Sequence, residues 1–295
     1  MWTEFKQLLG HGALASMVLL LPWSFTYALL RFATRFGFGK TEFESAAVVN
    51  MQRFGFGANQ YLTVRHMRLH RLIDLADFYK SWWMSRSWLQ RYWRVSGDPL
   101  PDAKQHPSVL FVTFHYGAGF WALRYFQQHG LSMAALYRPP PQPKAGERFH
   151  YYFFWWRLRS IFRLTGTKPI RVGDQQSELS ALVRRLVKVR LPVGVMPDIP
   201  TAAEQAVSAV MFGHRIYFAS ALLRLVVKKN IPIVLYTSVL DLTDGGRNVQ
   251  IQVLDEYSSV EALAQTLADC LATAIAKDPS AWHLWPWAHE ILQAP

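Results

Sequence analysis

The sequence contains a single cysteine, Cys270, among its 295 residues. One cysteine excludes a disulfide framework and any metal site built from several cysteines, and it is compatible with a reducing compartment. The chain also lacks the GxxxxGK[ST] phosphate-binding loop, the GxSxG turn of serine hydrolases and the HExxH zinc motif. We therefore predict neither a metal nor a cofactor.

Acidic residues are scarce: 20 Asp and Glu stand against 32 Lys and Arg, which gives a net charge of +12. The excess is concentrated in residues 51–96, with eight basic residues, and in residues 148–190, with ten. A basic surface attracts anionic lipid head groups, an acidic carrier protein, phosphorylated substrates or nucleic acid. Solvated faces of ordinary basic helices would give the same composition.

Residues 12–30, "GALASMVLLLPWSFTYALL", carry no charge and are long enough to cross a hydrocarbon core as a helix. Pro22 would kink such a helix, and it equally suits a helix that lies at the interface. A helix buried in the core is the remaining alternative. Three basic residues follow the run, whereas only Lys6 precedes it, so the positive-inside rule places the rest of the chain in the cytoplasm. We predict a membrane-anchoring segment over residues 1–40.

Residues 41–295 read as one α/β domain, because no linker divides them. Its first part, 41–100, reads as basic and aromatic helices. Apolar runs then predict strands at Val109–Phe114, Leu131–Tyr137, Pro192–Pro197 and Ile231–Leu240. Helices are predicted near Gly119–Gln128, Arg148–Leu164, Ser177–Val189 and Tyr217–Lys228. This alternation indicates a central mixed, mostly parallel sheet with helices on both faces. The period-two segment "RNVQIQVLDEY" predicts an additional edge strand, and Ser259–Ala276 a closing helix.

Six short stretches, in order along the chain, resemble the late lipid A acyltransferase family: "LLPW", "FHYGAGFWAL", "LYRPPPQP", "GVMPDIP", "MFGHRIYF" and "AWHLWPWAHE". The resemblance implies a membrane-associated bacterial enzyme on the cytoplasmic face of the inner membrane. Such an enzyme moves a fatty acyl group from an acyl carrier protein or acyl-CoA to a lipid or small-molecule acceptor. Anionic membrane lipids are the further partner that we expect. The uncharged N-terminal run argues against nucleic acid.

The resemblance makes His115 the candidate catalytic base, but it also shows a departure. Family members carry Asp or Glu five positions after this histidine, and here that position is Phe120. None of the other nine histidines has an acid at this spacing. In acyl transfer the imidazole takes the acceptor's proton, and a carboxylate on its far nitrogen fixes the tautomer and stabilises the imidazolium. Three explanations stay open: another acid substitutes, an amine acceptor needs less help from the base, or the chain is a catalytically silent relative that binds lipid or a partner protein.

Asp198 is the leading substitute, because it ends a predicted strand as His115 does. The carboxyl ends of parallel strands converge on one crevice. The family resemblance places an acid at this position in its own right, so a separate structural role for Asp198 stays open. Another carboxylate, Asp74, lies four residues after His70, and we interpret those two as a local surface pair.

The candidate substrate-binding residues lie mainly in turns and after strands. Glycines after a strand permit close backbone approach and positive φ, an arginine after a strand suits a phosphate or carboxylate, and the aromatic, arginine-rich run 148–163 suits head groups or a carrier protein. Tight turns, a surface arginine and a helix buried against the sheet are the respective alternatives. The residues are Tyr116, Gly117, Gly119, Arg138, Arg163 and Gly213.

Overall fold

The computed structural model describes residues 2–56, 59–83, 85–144, 146–172 and 183–294. Two helices come first, α1 Trp2–Leu20 and α2 Trp23–Ala33. The basic and aromatic region is helical as predicted, with α3 Glu44–Arg53, α4 Gln60–Lys80 and α5 Arg86–Tyr92. The α/β part follows with β1 Trp93–Gly97, β2 Leu110–Val112, α6 Ala122–Gln128, β3 Ala134–Tyr137, α7 Arg148–Thr165, β4 Ile170–Arg171 and β5 Val193–Val195. The chain ends with β6 Ala206–Met211, β7 His214–Ala219, α8 Ser220–Lys229, β8 Ile233–Leu240, β9 Arg247–Leu254, α9 Val260–Lys277, α10 Ala288–Ile291 and β10 Leu292–Gln293.

Seven strands form the central sheet in the order β1-β9-β8-β2-β5-β3-β4. Neighbouring strands are parallel except for β8 and β9. Side chains of β2 alternate between two hydrophobic clusters: Leu110 packs with residues of α9, whereas Phe111 packs with residues of α6. Both faces of the sheet are therefore covered by helices, and the predicted mixed, mostly parallel sheet is confirmed.

The sequence predicted β9 as an edge strand, and this is wrong, because β1 pairs in parallel on its outer side. Alternate residues of β9 are buried and exposed over Arg247–Gln252. Such alternation shows that one face of a strand meets solvent, and it carries no information about whether the strand has one neighbour or two. No pattern in the sequence indicates β1, since its five residues directly continue the helical, aromatic region.

The segment "MFGHRIYF" forms a β-hairpin rather than a turn before a helix. Strands β6 and β7 pair antiparallel in a separate three-stranded sheet, with Phe212 and Gly213 at positive φ in the turn. The helix predicted from Tyr217 begins only at Ser220, because Ile216 and Phe218 are buried with the period of a strand. Another helix was predicted at Ser177–Val189, and its part up to residue 182 lies outside the described residues. In the rest of that range, Arg184–Lys188 form one helical turn.

The membrane-spanning helix predicted over residues 12–30 is not found: within the described ranges, no helix is long and apolar enough to cross a bilayer. The run is divided at Pro22, which has φ −56° and ψ 143°, outside the helical region, so that α1 ends at Leu20 and α2 begins at Trp23. Apolar residues of both helices are buried against the domain: Val18, Trp23, Tyr27 and Leu30. This packing accounts for the apolar side chains on the buried face of the run, whereas Leu20 and Phe25 are exposed.

Helix α2 is fixed to the turn between β8 and β9. The indole Nε1 of Trp23 donates to the carbonyl of Gly245 at 3.1 Å, and the Tyr27 hydroxyl donates to the carbonyl of Leu242 at 2.9 Å. Gly245 has φ +74°, and a Cβ there would lie 2.5 Å from the Tyr27 ring. Only glycine fits between the turn and the helix.

We expect Gly245→Ala to lower the free energy of unfolding by about 2 kcal/mol or more, because it adds a clash to an unfavourable backbone conformation. Gly37→Ala is the matched control, since Gly37 has φ +82° but no atom within 4 Å of its Cβ position. The control should lose only the backbone contribution, about 1 kcal/mol. Urea unfolding measures both, and equal losses would show that contact with the Tyr27 ring contributes nothing.

Candidate active site

The side chains of His115 and Asp198 meet at the carboxyl edge of the sheet. His115 follows β2 and Asp198 follows β5, and these two strands are parallel neighbours. His115 Nδ1 lies 2.9 Å from Asp198 Oδ1. The direct contact that the sequence left open is therefore present, and it places a carboxylate on the imidazole although position 120 is Phe.

The Asp198 carboxylate is fully buried and accepts several hydrogen bonds. Its Oδ2 accepts from the backbone N–H of His115 at 2.9 Å and from the indole Nε1 of Trp282 at 3.0 Å. Because a carboxylate only accepts, the proton of a neutral His115 is assigned to Nδ1, which leaves Nε2 as the basic nitrogen. The imidazole keeps 30% of its side-chain surface exposed, so a reactant can approach it.

Two opposing effects set the pKa of His115. Burial lowers this pKa, but the charge of Asp198, its hydrogen bond to Nδ1 and the more distant charge of Asp74 raise it by more. The net result is a pKa above the ordinary value of 6.5. The neutral, proton-accepting form therefore increases as the pH rises through this elevated pKa.

The loop after His115 is held by β8 and by the segment that follows α9. Gly117 has φ +67°, and a Cβ there would lie 1.7 Å from the carbonyl oxygen of Ser238. His283 donates from its backbone N–H to the carbonyl of His115 at 2.8 Å and from Nε2 to the carbonyl of Gly117 at 2.7 Å. Burial lowers the pKa of His283 to about 4, so it stays neutral. The sequence reasoning missed His283, whose only signal was its place in "AWHLWPWAHE".

The other two residues of this loop differ from expectation. Tyr116 is buried, and its hydroxyl donates to the carbonyl of Ala274 at 2.7 Å. Gly119 does not have positive φ, and a Cβ there would have the Tyr236 ring at 3.9 Å as its nearest neighbour. The predicted positive φ is therefore correct for Gly117 and wrong for Gly119, because only Gly117 touches the backbone of β8.

Three further candidates are not brought to His115. Arg138 is exposed directly after β3, at the same edge of the sheet but beyond β5. Arg163 donates to the carbonyl of Ser81 at 2.8 Å and lies 4.2 Å above the Trp82 ring, so it joins α7 to the end of α4. Gly213 is in the hairpin turn. Within the described part of the chain none of them contacts His115, and their substrate-binding roles stay predictions.

Phe120, at the position of the expected acid, is packed away from the imidazole. It is 7% exposed and contacts Phe78, with ring centroids 6.0 Å apart, while the Arg157 guanidinium lies 5.7 Å from its ring. Arg157 in turn donates to Asp74 Oδ2 at 2.7 Å. Because the His115 imidazole stays partly exposed, Phe120 does not seal the candidate base from solvent.

Asp74 is not half of a surface pair with His70. His70 is buried and bonds through Nε2 to Asp278 Oδ2 at 3.0 Å, whereas Asp74 pairs with Arg157. Burial raises the pKa of Asp74, but the charge and hydrogen bond of Arg157, together with the charges of His283 and Arg247, lower it by more, so Asp74 is ionised. The reason for the error is that i to i+4 spacing allows two side chains to meet but does not require it.

Residues 71–290 match a family model described as bacterial lipid A biosynthesis acyltransferase. The match covers well over half of the chain and includes His115 and Asp198. The chain belongs to this family. Membership implies acyltransferase activity on lipid, and the family resemblance seen in the sequence is confirmed. No curated protein matches the chain.

We expect the pKa of His115 to lie above 6.5 in the wild type and to fall in Asp198→Asn, because the amide removes the charge that raises it while burial still lowers it. Asp74→Asn should lower the same pKa by less, since Asp74 acts only through its charge at a distance. Titration of the imidazole by NMR, with His115→Gln to assign the signal, measures these changes. An unchanged pKa in Asp198→Asn would contradict this electrostatic account.

Proposed function

We propose that the chain is a membrane-associated acyltransferase of the bacterial inner membrane, acting at its cytoplasmic face. It moves a fatty acyl group from an acyl carrier protein or acyl-CoA thioester to a hydroxyl or amine of a lipid or small-molecule acceptor. The observation that carries the proposal is the 2.9 Å contact between His115 Nδ1 and the buried Asp198 carboxylate. This contact supplies the support that the motif acid would otherwise give.

In the proposed reaction, His115 Nε2 takes the proton of the acceptor hydroxyl as the acceptor oxygen attacks the thioester carbonyl carbon. Asp198 keeps the imidazole in the required tautomer and stabilises the imidazolium that forms. The tetrahedral intermediate then collapses, the carbon–sulfur bond breaks, and the imidazolium returns its proton to the leaving thiolate. The products are the acylated acceptor and the free thiol.

Two features support an acidic or phosphorylated donor. Arg138 is exposed at the same edge of the sheet as His115, where it suits a phosphate or carboxylate. Helix α7 exposes Arg159 together with Tyr152 and Phe162, and such a mixture suits a carrier protein or a lipid surface. Arg157, in contrast, is occupied by Asp74 and is left out of this surface.

We expect His115→Ala to lower acyl transfer by about 10²- to 10⁴-fold, the usual contribution of a general base. The variant should stay folded, since His115 is partly exposed at a strand end. Transfer would be followed with a radiolabelled acyl carrier protein donor and extracted bacterial lipids as acceptors. Equal turnover in variant and wild type would rule out His115 as the base. A folded, lipid-binding wild type without any turnover would favour the alternative that the chain is a catalytically silent relative.

We expect Phe120→Glu, which restores the family's acid, to destabilise the protein without raising activity. Phe120 is packed against Phe78, and a carboxylate placed there loses hydration at a cost of several kcal/mol unless it takes Arg157 from Asp74. Phe120→Leu is the matched control, because it keeps the site apolar. Thermal unfolding and the transfer assay measure the two effects, and a gain of activity in Phe120→Glu would show that Asp198 leaves His115 under-supported.

A further inference from the structure

A cavity of about 500 Å³ opens between α2, α5 and the turn that joins β8 to β9. Three arginines line it, Arg31 and Arg35 from the α2 region and Arg91 from α5, together with the hydroxyl-bearing residues Ser24 and Thr243. Within the described part of the chain, none of the three arginines forms an ion pair with a carboxylate. The cavity thus offers cationic and hydrogen-bond-donating groups that are not paired with an anion.

The acid at this cavity does not neutralise the arginines. Asp244 lines the cavity, but its Oδ2 accepts from Arg94 and its Oδ1 accepts from the backbone N–H of Gly246 at 2.8 Å. The neighbouring Asp241 also pairs with Arg94, at 2.8 Å. Arg94 offsets one of these two carboxylate charges. The three arginines outweigh the remaining one, so the cavity keeps a net positive charge that suits an anion with several oxygens.

Hydrogen bonds fix the wall of the cavity that α2 and the β8–β9 turn form. Arg31 Nη1 donates to the carbonyl of Leu242 at 3.2 Å, beside the hydrogen bonds of Trp23 and Tyr27 to the same turn. Arg35 lies 5.9 Å from the Phe32 ring and Arg91 lies 5.4 Å from the Tyr92 ring. A site with pre-positioned donors loses less conformational entropy on binding than a mobile one.

A row of exposed phenylalanines lies beside the arginines. Ser24, Ala28, Arg31 and Arg35 follow one another at helical spacing and face the cavity. Phe25 and Phe36 lie on the adjacent side of the helix, and Phe32 lies at the rim, since it also lines the cavity. These three phenylalanines are 55%, 52% and 68% exposed. Apolar side chains next to cationic ones are typical of a helix that lies in a membrane interface. A free phosphate ion would leave this row uncovered, so the arrangement favours a lipid.

We propose that this cavity binds the phosphate of an anionic lipid head group, with Phe25, Phe32 and Phe36 in the acyl region of the membrane. The inference deepens the proposed function and rests on it, because the role given to lipid binding is to bring the acyltransferase to its membrane. The cavity adjoins the turn after β8, and β8 is the parallel neighbour of β2, so the cavity and His115 lie along the same edge of the sheet. Docking there turns the edge with the candidate base toward the lipid surface.

The test uses the full chain and sedimentation with vesicles of phosphatidylcholine, with or without phosphatidylglycerol. Replacing Arg31, Arg35 and Arg91 together by Gln should weaken binding to the anionic vesicles by roughly tenfold or more at low salt, and by less at high salt. The control replaces Arg224, Lys228 and Lys229 by Gln, which removes equal charge from the exposed residues of α8. Equal losses in the two variants would overturn the site in favour of diffuse charge attraction.

Two further variants keep the result interpretable. Arg35→Gln with Arg91→Gln leaves the Arg31 hydrogen bond intact, and it should still lose most of the anionic selectivity. Phe25→Ser, Phe32→Ser and Phe36→Ser together should weaken binding to both vesicle types with little dependence on salt. Glycerol phosphate is the soluble competitor: if it displaces the protein from vesicles as effectively as excess anionic lipid does, the cavity takes a free phosphate and the lipid assignment is wrong.

The outcome separates this inference from the proposed function, because vesicle binding requires no turnover. A wild type that transfers acyl groups but binds vesicles independently of the three arginines would overturn the inference alone. A wild type that binds through the arginines but never transfers an acyl group would overturn the proposed function alone.

Discussion

The candidate site depends on one buried charge, the carboxylate of Asp198. It accepts hydrogen bonds from the backbone and imidazole of His115 and from the indole of Trp282. A buried carboxylate without such donors would cost several kcal/mol, so these groups are required to stay together. The ends of β2 and β5 and the segment after α9 are thereby tied to one point. His283 completes this arrangement by holding the loop that carries His115.

The sequence predicted the parts of the fold that are set by apolar periodicity. The inner strands β2, β3, β5 and β8 were found because strands buried on both faces read as continuous apolar runs. The absence of charge in residues 12–30 does not by itself distinguish a spanning helix from a packed one, since a membrane and a protein core exclude charge for the same reason. The difference depends on what packs against the helix, and its partner, the turn at Gly245, is more than two hundred residues away in sequence.

The candidate active site also depends on contacts between residues that are far apart in the sequence. The sequence could offer Asp198 as one candidate partner of His115, because the carboxyl ends of parallel strands meet at one edge of a sheet. It left the contact itself open, since it did not show that β2 and β5 are neighbours. Asp74 and Arg157 are 83 residues apart and lie on two helices whose packing no local pattern encodes. The sequence likewise does not show whether the apolar ring of Phe120 covers the base or packs elsewhere.

The contact between α2 and the β8–β9 turn can form only late in the synthesis of the chain. Trp23 and Gly245 are separated by 222 residues, and at roughly 5 to 20 residues per second a ribosome needs roughly 10 to 45 s to cover that distance. During this time the apolar face of α2 has emerged without the strand turn that later covers it. A lipid surface or a chaperone that meets the nascent chain in this interval encounters an amphipathic helix whose intramolecular partner does not yet exist.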